Sequence, residues 1–265
     1  MRSDPPAVPD AAKTSDLELA HRLASEAAVL ALPFFGTGPD HETKPDGTPV
    51  SEVDLLVERA VLDVLAAERP DDEILAEESG SQSRPGSNRR WIIDPLDMTA
   101  AFLAHDPGWG FHVALEVDGT VDLAIITRPV VGLRWWAERG AGAFRSAADA
   151  PLNRSTRLAV SEQRTLAGAR VGGFAGPTST SRQLLAGAAD WVEGGSCIVG
   201  ALAEGRLDAF VDDGGKPWDQ APATLIVEEA GGSFFDPEGG RRIDLGWVAY
   251  SSAMLDGALR SLFLP

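Results

Sequence analysis

The sequence predicts an α/β protein in which helices and sheets pack in layers. Segments with helical spacing of apolar residues alternate with short apolar runs of strand length. The chain of 265 residues is long enough for one large unit or for two closely packed halves. We therefore predict a disordered N-terminal tail over residues 1–13, an N-terminal α+β half over 14–150 and a C-terminal α/β half over 151–265.

Composition and charge narrow the class of protein. A hydrophobic content of 44% and a charged content of 24% are ordinary for a globular chain. The net charge of -17 disfavours nucleic acid and anionic membrane surfaces as partners, because both would repel the chain. Residues 1–13 lack the apolar core of a secretory signal, and no apolar run reaches transmembrane length. We therefore expect a cytoplasmic protein. Because the chain carries net negative charge, an anionic substrate would need a bound cation.

The first two predicted elements are helices. Ser15 or Asp16 can cap the first helix, and Ser51 begins the second. Between them, the Gly- and Pro-rich stretch from Gly36 to Pro49 reads as a loop. Apolar residues at helical spacing give each helix one inner face: Leu17, Ala20, Leu23, Ala24, Ala27, Ala28 and Ala31 in the first, and Leu55, Leu56, Ala60, Val61, Val64 and Leu65 in the second.

Two short strands then end in acidic residues. The run 74–76 precedes Glu77 and Glu78, and the run 91–93 precedes Asp94. Both are predicted to deliver carboxylates at their C-terminal ends. Glu77 and Glu78 could equally be a solvated strand end, since charged residues are common where a strand stops.

The rest of the chain predicts a large sheet and a second α/β half. Alternating apolar residues from His112 to Phe144, with the turn Asp118-Gly119, indicate a hairpin that continues as a meander. A helix is predicted from Asp219 to about Ala230, ended by Gly231 and Gly232. Further strands are predicted at Leu158 to Ser161, Ala169 to Phe174 and Leu207 to Val211.

The segment from Trp91 to Thr99 carries the most chemical information. Asp94 and Asp97 stand three residues apart after an apolar strand, and Pro95 restricts the backbone between them. A helix beginning near Thr99 would offer unpaired N–H groups to a phosphate oxygen. Two carboxylates, a carbonyl and a nearby Glu suit a hard cation such as Mg²⁺. Taken alone, the same pair of acids also fits an ordinary turn or helix start.

Four segments in order resemble the signatures of the inositol monophosphatase family, and they extend over most of residues 14–265. The run 91–99, Trp-Ile-Ile-Asp-Pro-Leu-Asp-Met-Thr, is similar to the first signature of that family. The other three segments are Lys44 with Thr48-Pro49-Val50-Ser51 and Asp54, then Ala76-Glu77-Glu78-Ser79, and finally Trp218-Asp219-Gln220-Ala221-Pro222-Ala223 leading into Glu229-Ala230-Gly231-Gly232.

The resemblance implies a layered αβαβα sandwich and Mg²⁺-dependent hydrolysis of a small phosphate monoester, with two or three ions in each site. Metal-activated water would attack the phosphorus. One ion would be held by Glu77, Asp94 and the Leu96 carbonyl, and another by Asp94, Asp97 and Asp219.

The resemblance also implies roles around the metals. Glu77 counts as catalytic, and Thr99, helped by Asp54, would orient or deprotonate the attacking water. The substrate would contact Met98, Thr99, Asp212 and Lys44.

Several of these residues have simpler explanations. Asp54 follows Ser51 by three residues, which is a capping box without any catalysis, and Asp219 can cap its own helix. Trp135, Trp136 and Trp218 are expected to be packing residues. The four histidines, His21, His41, His105 and His112, lack metal-ligand spacing, and structural or surface roles are favoured for them.

Met98 departs from the pattern, since the family almost always has Gly there. A Cβ could crowd the phosphate or disfavour the required backbone angles. The rival hypothesis is therefore a relative that catalyses a different metal-assisted reaction or only binds a ligand.

Residues 129–144 resemble histidinol-phosphate phosphatases of the family most. Inositol phosphates, other sugar or cyclitol phosphates and 3′-phosphoadenosine nucleotides remain alternative substrates. The expected partner is thus a small phosphorylated metabolite, and a homodimer is expected because the family commonly dimerises.

Overall fold

The computed structural model describes residues 14–193, 195 and 197–264, so the tail predicted over 1–13 lies outside the described residues. Seven α-helices lie in these ranges: α1 (Asp16–Ala31), α2 (Glu52–Glu68), α3 (Thr99–Leu103), α4 (Thr180–Ala188), α5 (Ile198–Ala203), α6 (Pro217–Glu229) and α7 (Asp256–Phe263). The strands in the same ranges are β1 (His41–Thr43), β2 (Pro49–Ser51), β3 (Glu73–Ala76), β4 (Gly80–Gln82), β5 (Arg89–Asp97), β6 (Gly110–Val117), β7 (Thr120–Arg128), β8 (Leu133–Glu138), β9 (Gly142–Ala147), β10 (Thr156–Arg157), β11 (Arg170–Phe174), β12 (Asp190–Trp191), β13 (Ala209–Asp213), β14 (Gly232–Phe235) and β15 (Trp247–Ser252).

Two large sheets organise these elements. The eight-stranded sheet has the order β10-β9-β8-β7-β6-β5-β3-β4 and is antiparallel except for the parallel pair β3 and β5. The five-stranded sheet has the order β12-β11-β13-β15-β14. The short pair β1 and β2 lies apart from both sheets. The first sheet ends at residue 157 and the second begins at residue 170. The division into two halves at residue 150 stays a prediction.

The helices and sheets form five layers. Helices α1 and α2 pack together on one face of the large sheet, and α6 covers its other face. Helix α6 also contacts the smaller sheet and α5, so it lies between the two sheets. Helices α4 and α7 cover the outer face of the smaller sheet. The αβαβα sandwich implied by the sequence resemblance is confirmed.

Strand β5 shows why the large sheet needs cover on both faces. Successive side chains of a strand point to opposite faces. Trp91 and Ile93 accordingly join the apolar core beneath α1 and α2, whereas Ile92 joins the core shared with α6. All three are fully buried. Burial on both faces explains the continuous apolar run before Asp94, and it fixes the strand that carries the acids.

The sequence predictions were wrong in two connecting segments. The stretch from Gly36 to Pro49 contains β1 and the start of β2, which pair antiparallel instead of forming an open loop. Residues 158–161 are not a strand, because their backbone N–H groups bond to two different elements: Leu158 to Ala143 and Val160 to Ala230. Among the described residues, none of the helices combines the length and apolar character needed to span a membrane.

Candidate active site

Parallel pairing of β3 and β5 brings Glu77 next to Asp94. Ala76 pairs with Ile93, and the Glu77 N–H donates to the Ile93 carbonyl at 3.1 Å. The next residue of each strand is an acid, and the two carboxyl groups lie within hydrogen-bond reach of each other. Two acids at the ends of neighbouring parallel strands therefore meet at one edge of the sheet.

A break in the pairing of β5 with β6 shapes the segment from Asp94 to Asp97. Asp94 pairs with His112 and Asp97 with Gly110, with a register irregularity between them. The Leu96 N–H donates to the Asp94 carboxylate at 3.0 Å. This local bond turns the chain so that both acids face the same cleft.

The smaller sheet and α6 close the cleft from the other side. Asp219 stands in the first turn of α6, where its carboxylate accepts the Lys216 N–H at 2.6 Å. Asp212 lies on β13 and accepts a hydrogen bond from the Gln220 side chain at 3.1 Å. The helix-cap explanation for Asp219 is thus correct, and it is compatible with a position in the site.

Burial and neighbouring negative charges raise the pKa values of three acids at the centre of this cluster. Burial raises the pKa of Asp94 well above its usual value, and the charges of Glu77, Asp97 and Asp219 raise it further. Burial and the charge of Asp97 raise the pKa of Asp219 to about 8. Burial also raises the pKa of Glu77, although Lys44 opposes this. Crowded, desolvated carboxylates of this kind fit a hard divalent cation, which takes oxygen ligands.

Lys44 reaches the outer edge of the cluster. Its Nζ donates to Glu77 at 2.8 Å and to Glu78 at 2.7 Å. Burial alone would lower the pKa of Lys44, but the two carboxylates outweigh this effect and raise it. The ammonium group thus stays charged beside Glu77, as a residue near an anionic substrate should.

Glu58 supports this edge and was missed by the sequence analysis. Its buried carboxylate accepts the N–H groups of Glu78 at 2.9 Å and Ser79 at 2.8 Å, which holds the turn that follows Glu77. The available signal was its spacing of four residues from Asp54, which puts both acids on one face of α2.

Asp97 has two buried neighbours, Arg128 and His112, whose contacts with it sequence reasoning also missed. Arg128 Nη2 donates to Asp97 Oδ2 at 2.6 Å, and His112 Nε2 lies 3.2 Å from the same oxygen. Burial alone would raise the pKa of Asp97, but these two residues hold it well below its usual range. His112 is buried and lines the site, which excludes the surface alternative, while its structural role stays a prediction. The signal for His112 was a single polar residue within the apolar run 111–115 of β6, whereas Arg128 ends β7 directly after Thr127 and gave no such signal.

Thr99 and Asp54 meet as the resemblance implies. The Thr99 hydroxyl lies 2.8 Å from Asp54 Oδ1 and 3.1 Å from the Leu96 carbonyl, either of which can accept its proton. The other oxygen of Asp54 accepts the N–H and the hydroxyl of Ser51. The capping box and the contact with Thr99 therefore coexist in one buried carboxylate, whose pKa is raised by burial.

Met98 adopts the backbone conformation for which Gly is favoured. Its φ of 63° and ψ of 51° lie in the left-handed region, directly before the first residue of α3. Such angles cost an L-residue roughly 1–2 kcal/mol relative to the ordinary helical region. The backbone at Met98 thus follows the path that a Gly would take, and the Cβ of Met98 makes this conformation energetically less favourable.

Two adjoining cavities open at the acids. The first, of about 490 Å³, is lined by Lys44, Glu77, Asp94, Asp97, Met98, Thr99 and Asp219, among others. The second, of about 360 Å³, shares Asp97, Met98 and Asp219 with it and is lined in addition by His112, Arg128, Phe174, Phe210, Asp212, Asp213 and Tyr250. All the site residues named from the sequence thus lie in or directly behind one continuous cleft.

Comparison with known proteins agrees with this geometry. The sequence model of the inositol monophosphatase family matches residues 13–260. A protein of Streptomyces griseus named glucose-1-phosphate thymidylyltransferase is 52% identical over 90% of this chain and 92% of its own length. A histidinol-phosphatase of Chlorobaculum parvum is 36% identical over 91% of this chain and 94% of its own. The crystal structure of the extragenic suppressor protein suhB from Bartonella henselae superimposes with a TM-score of 0.82 at 26% identity, covering 93% of this chain and 97% of that one.

Fold and site together define an enzyme of the phosphatase class, a phosphoric monoester hydrolase. The chain belongs to the inositol monophosphatase family.

Proposed function

We propose that the chain hydrolyses a small phosphate monoester with Mg²⁺ and that histidinol phosphate is its preferred substrate. The observation that carries the metal requirement is the pairing of Asp94 with Glu77. Asp94 is buried and Glu77 partly buried, and two carboxyl groups in contact, both with raised pKa, are stabilised by a cation shared between them. Glu77, Asp94 and the Leu96 carbonyl would hold one ion. The family resemblance adds a second at Asp94, Asp97 and Asp219.

A bound divalent ion would neutralise phosphate charge and make a nearby water more acidic. The chain's own contribution is to hold that water and take its proton. If the Thr99 hydroxyl donates to Asp54, its oxygen is left to accept a proton from water, and burial makes Asp54 a stronger base than an exposed Asp. The water oxygen bonds to phosphorus as the ester P–O bond breaks, and the leaving alkoxide takes a proton from solvent water and departs as the alcohol toward the second cavity.

The second cavity favours a cationic leaving group over a neutral polyol. Asp212 and Asp213 line it together with the aromatic rings of Phe174, Phe210 and Tyr250. Arg128 lines it too, but its guanidinium is paired with Asp97 at 2.6 Å. Burial raises the pKa of Asp212 to about 6, so the carboxyl group is mostly ionised at neutral pH. Carboxylates beside aromatic rings suit an alcohol that carries an amine and a ring, as histidinol does.

Met98 bears on the rival hypothesis of a ligand-binding relative. A strained residue persists only where the surrounding structure enforces it, and such strain is concentrated at functional sites. Met98 keeps the left-handed angles instead of relaxing out of them. This favours a working phosphatase site over one that substitution has disabled.

The first test measures phosphate release with Mg²⁺ from histidinol phosphate, inositol monophosphates, glucose 1-phosphate and 3′-phosphoadenosine nucleotides. We expect the highest kcat/KM for histidinol phosphate. Asp94→Asn should abolish release, whereas Asp46→Asn, which changes an exposed acid on the rim of the same cleft, should retain it. Release that persists in Asp94→Asn would contradict the metal mechanism.

A second variant tests the choice of substrate. Asp212→Asn should lower kcat/KM for histidinol phosphate about 10- to 150-fold more than for inositol 1-phosphate, because a charged hydrogen bond to the amine contributes about 1.5–3 kcal/mol. An equal loss for both substrates would contradict the cationic leaving group.

Nucleotidyl transfer is a second candidate, because the relative that is 52% identical bears the name of a thymidylyltransferase. The reaction can be followed by incubating the protein with thymidine triphosphate and glucose 1-phosphate. Formation of a nucleotide sugar with pyrophosphate would favour this candidate. Formation of glucose with inorganic phosphate would favour hydrolysis.

A further inference from the structure

The lysines of the chain are concentrated at one cavity. The sequence has 20 arginines but only three lysines, Lys13, Lys44 and Lys216. Lys13 lies outside the described residues, and the other two both line the cavity of about 490 Å³ at the acids. No arginine among the described residues lines that cavity. Both of its positive side chains are therefore of the type that the chain otherwise rarely uses.

The two lysines differ in their partners. Lys44 Nζ is paired with Glu77 at 2.8 Å and with Glu78 at 2.7 Å, and its side chain is only 18% exposed. Lys216 is exposed, and its ammonium group has neither an ion pair nor a hydrogen bond within the part of the chain that the structure describes. The charge of Lys44 is thus balanced by two acids, whereas the charge of Lys216 is available to an anion in the cavity.

The backbone fixes where Lys216 stands. It directly precedes Pro217, the first residue of α6. Its N–H donates to the Asp219 carboxylate at 2.6 Å, and its carbonyl accepts the Asp219 N–H at 3.0 Å. This reciprocal pair ties Lys216 to the acid that α6 brings to the site. The flexible side chain can follow a ligand while its attachment stays beside the acids.

Asp46 is an acid on the same rim, and its own turn holds it. Its Oδ1 accepts the Thr48 N–H at 3.1 Å and the Thr48 hydroxyl at 2.7 Å. These hydrogen bonds lower the pKa of Asp46, and the charges of Lys44 and Lys216 contribute in the same direction. Both ammonium groups therefore act on one rim of the cavity, and Thr48 orients the carboxylate that stands near them.

A substrate phosphate approaches this cavity against negative charge. The net charge of the chain is -17. Five acids line the cavity: Asp46, Glu77, Asp94, Asp97 and Asp219. A positive group at the entrance raises the local concentration of an anion and its rate of association. Lysine suits this task because it is a compact charge on a flexible stem, whereas the planar fork of arginine favours pairing with carboxylates.

We propose that Lys216 is a substrate-binding residue, whose ammonium group contacts the phosphate of the substrate and draws this anion over the rim of the cavity. The proposal rests on the proposed function and adds a residue that the sequence analysis did not name. Lys44 then balances the acids at Glu77 and Glu78, and Lys216 supplies the positive charge that is free to bind the phosphate.

The first test measures binding of inorganic phosphate, the reaction product, to the full chain in saturating Mg²⁺ by titration calorimetry. Lys216→Met should raise the Kd for phosphate about fivefold at low salt, the loss expected for one exposed charged contact. The difference should shrink to less than about twofold in 0.5 M KCl, because salt screens exposed charges. Wild-type affinity in Lys216→Met at low salt would overturn the proposal.

Two control variants separate the charge at this position from the net charge of the chain. Lys216→Arg keeps the charge and should bind phosphate more tightly than Lys216→Met does. Arg154→Met removes one positive charge from an exposed side chain in the loop after β9, and it should bind phosphate as the wild type does. A loss in Arg154→Met equal to that in Lys216→Met would overturn the assignment to Lys216, and so would equal losses in the two Lys216 variants.

Steady-state kinetics tests the same contact during turnover. Lys216→Met should raise KM for the best substrate about fivefold and leave kcat within about twofold, because a contact made equally in the ground state and the transition state affects binding alone. A lower kcat with unchanged KM would overturn the proposal. Phosphate binding that depends on Lys216, without release from any substrate, would contradict the proposed function alone. Hydrolysis that is unchanged in Lys216→Met would contradict the role of Lys216 alone.

Discussion

The Thr99 hydroxyl lies 2.8 Å from the Asp54 carboxylate, and this contact joins the starts of two helices. Asp54 belongs to the first turn of α2, which follows β2, and Thr99 is the first residue of α3, which follows β5. Both side chains are buried. Because Asp54 also caps α2 through Ser51, the position of the Thr99 hydroxyl is tied to the integrity of that helix.

Thr99→Val should lower kcat for phosphate release by about 10²- to 10⁴-fold, the range that positioned proton transfer contributes. Valine keeps the volume of threonine but removes the oxygen that would accept the proton from water. Thr99→Ser keeps the hydroxyl and should retain activity within about tenfold of the wild type. Steady-state kinetics at saturating Mg²⁺ measures both variants. Equal activity of the valine and serine variants would remove Thr99 from the mechanism.

The elements of the first half and α6 could be predicted because each has a strong local signal, whereas α4, α5, α7, β12, β14 and β15 were not predicted. Capping residues and helical periodicity locate α1 and α2, and β3 and β5 show as apolar runs before acids. The pair β1 and β2 was missed because its three-residue strands lie within a Gly- and Pro-rich stretch. Such short strands are defined by their pairing partner, which a single sequence does not reveal.

The site was predictable where its residues lie in motifs and unpredictable where they meet only in space. Glu77, Asp94 and Asp219 were named from short segments. Arg128 and His112 lie on strands whose alternating pattern does not show what faces the acids. Arg128 reaches Asp97 past Gly110, and His112 reaches it from the position where it pairs with Asp94. The homodimer and the cytoplasmic location stay predictions.

Asp94→Asn should stabilise the protein in the absence of metal ions. Asparagine keeps an oxygen for the Leu96 N–H and removes a charge crowded by Glu77, Asp97 and Asp219. Each unit by which the pKa of Asp94 is raised corresponds to about 1.4 kcal/mol of stability lost at high pH. Urea unfolding in EDTA at pH 8 should therefore give a higher midpoint for the variant.

The pH dependence and the metal dependence check the cause of this gain. Because the pKa of Asp94 is raised in the folded protein, the free-energy cost of its ionisation is absent below the unfolded pKa and grows as pH rises. The wild type and Asp94→Asn should therefore become equally stable toward pH 4. Mg²⁺ should stabilise the wild type more than the variant. A variant that is less stable than the wild type in EDTA at pH 8 would refute the crowding of charge at Asp94.

Met98→Val should destabilise the fold by about 1–2 kcal/mol, because a β-branched residue tolerates left-handed angles worse than methionine does. Met98→Leu carries a similar strain and should stay within about 0.5 kcal/mol of the wild type. Thermal or urea unfolding measures both variants. Equal stability of the valine and leucine variants would show that the strain at this position has no energetic weight.

Met98→Gly tests the effect of the side chain on turnover. Removing the Cβ relieves the strain, and the substitution should change stability by no more than about 1 kcal/mol, since glycine also loses more conformational entropy on folding. We expect kcat for phosphate release to stay within about threefold of the wild type. A rise of tenfold or more would instead favour the rival hypothesis that Met98 spoils the phosphate site.

His21 should make the fold sensitive to acid at a place far from the metal ligands. Burial, and then the charge of Arg134, lower the pKa of His21 to about 3. The pKa of His21 in the folded protein is therefore below its unfolded value of about 6.5. Above that pH the neutral side chain does not oppose folding, and the stability of the folded protein is lost as pH falls. Between pH 8 and pH 5 the wild type should lose about 2 kcal/mol more than His21→Gln in urea unfolding. His41→Gln, which changes an exposed histidine, should follow the wild type. If His21→Gln loses as much stability as the wild type over this range, then His21 is not the group whose protonation opposes folding.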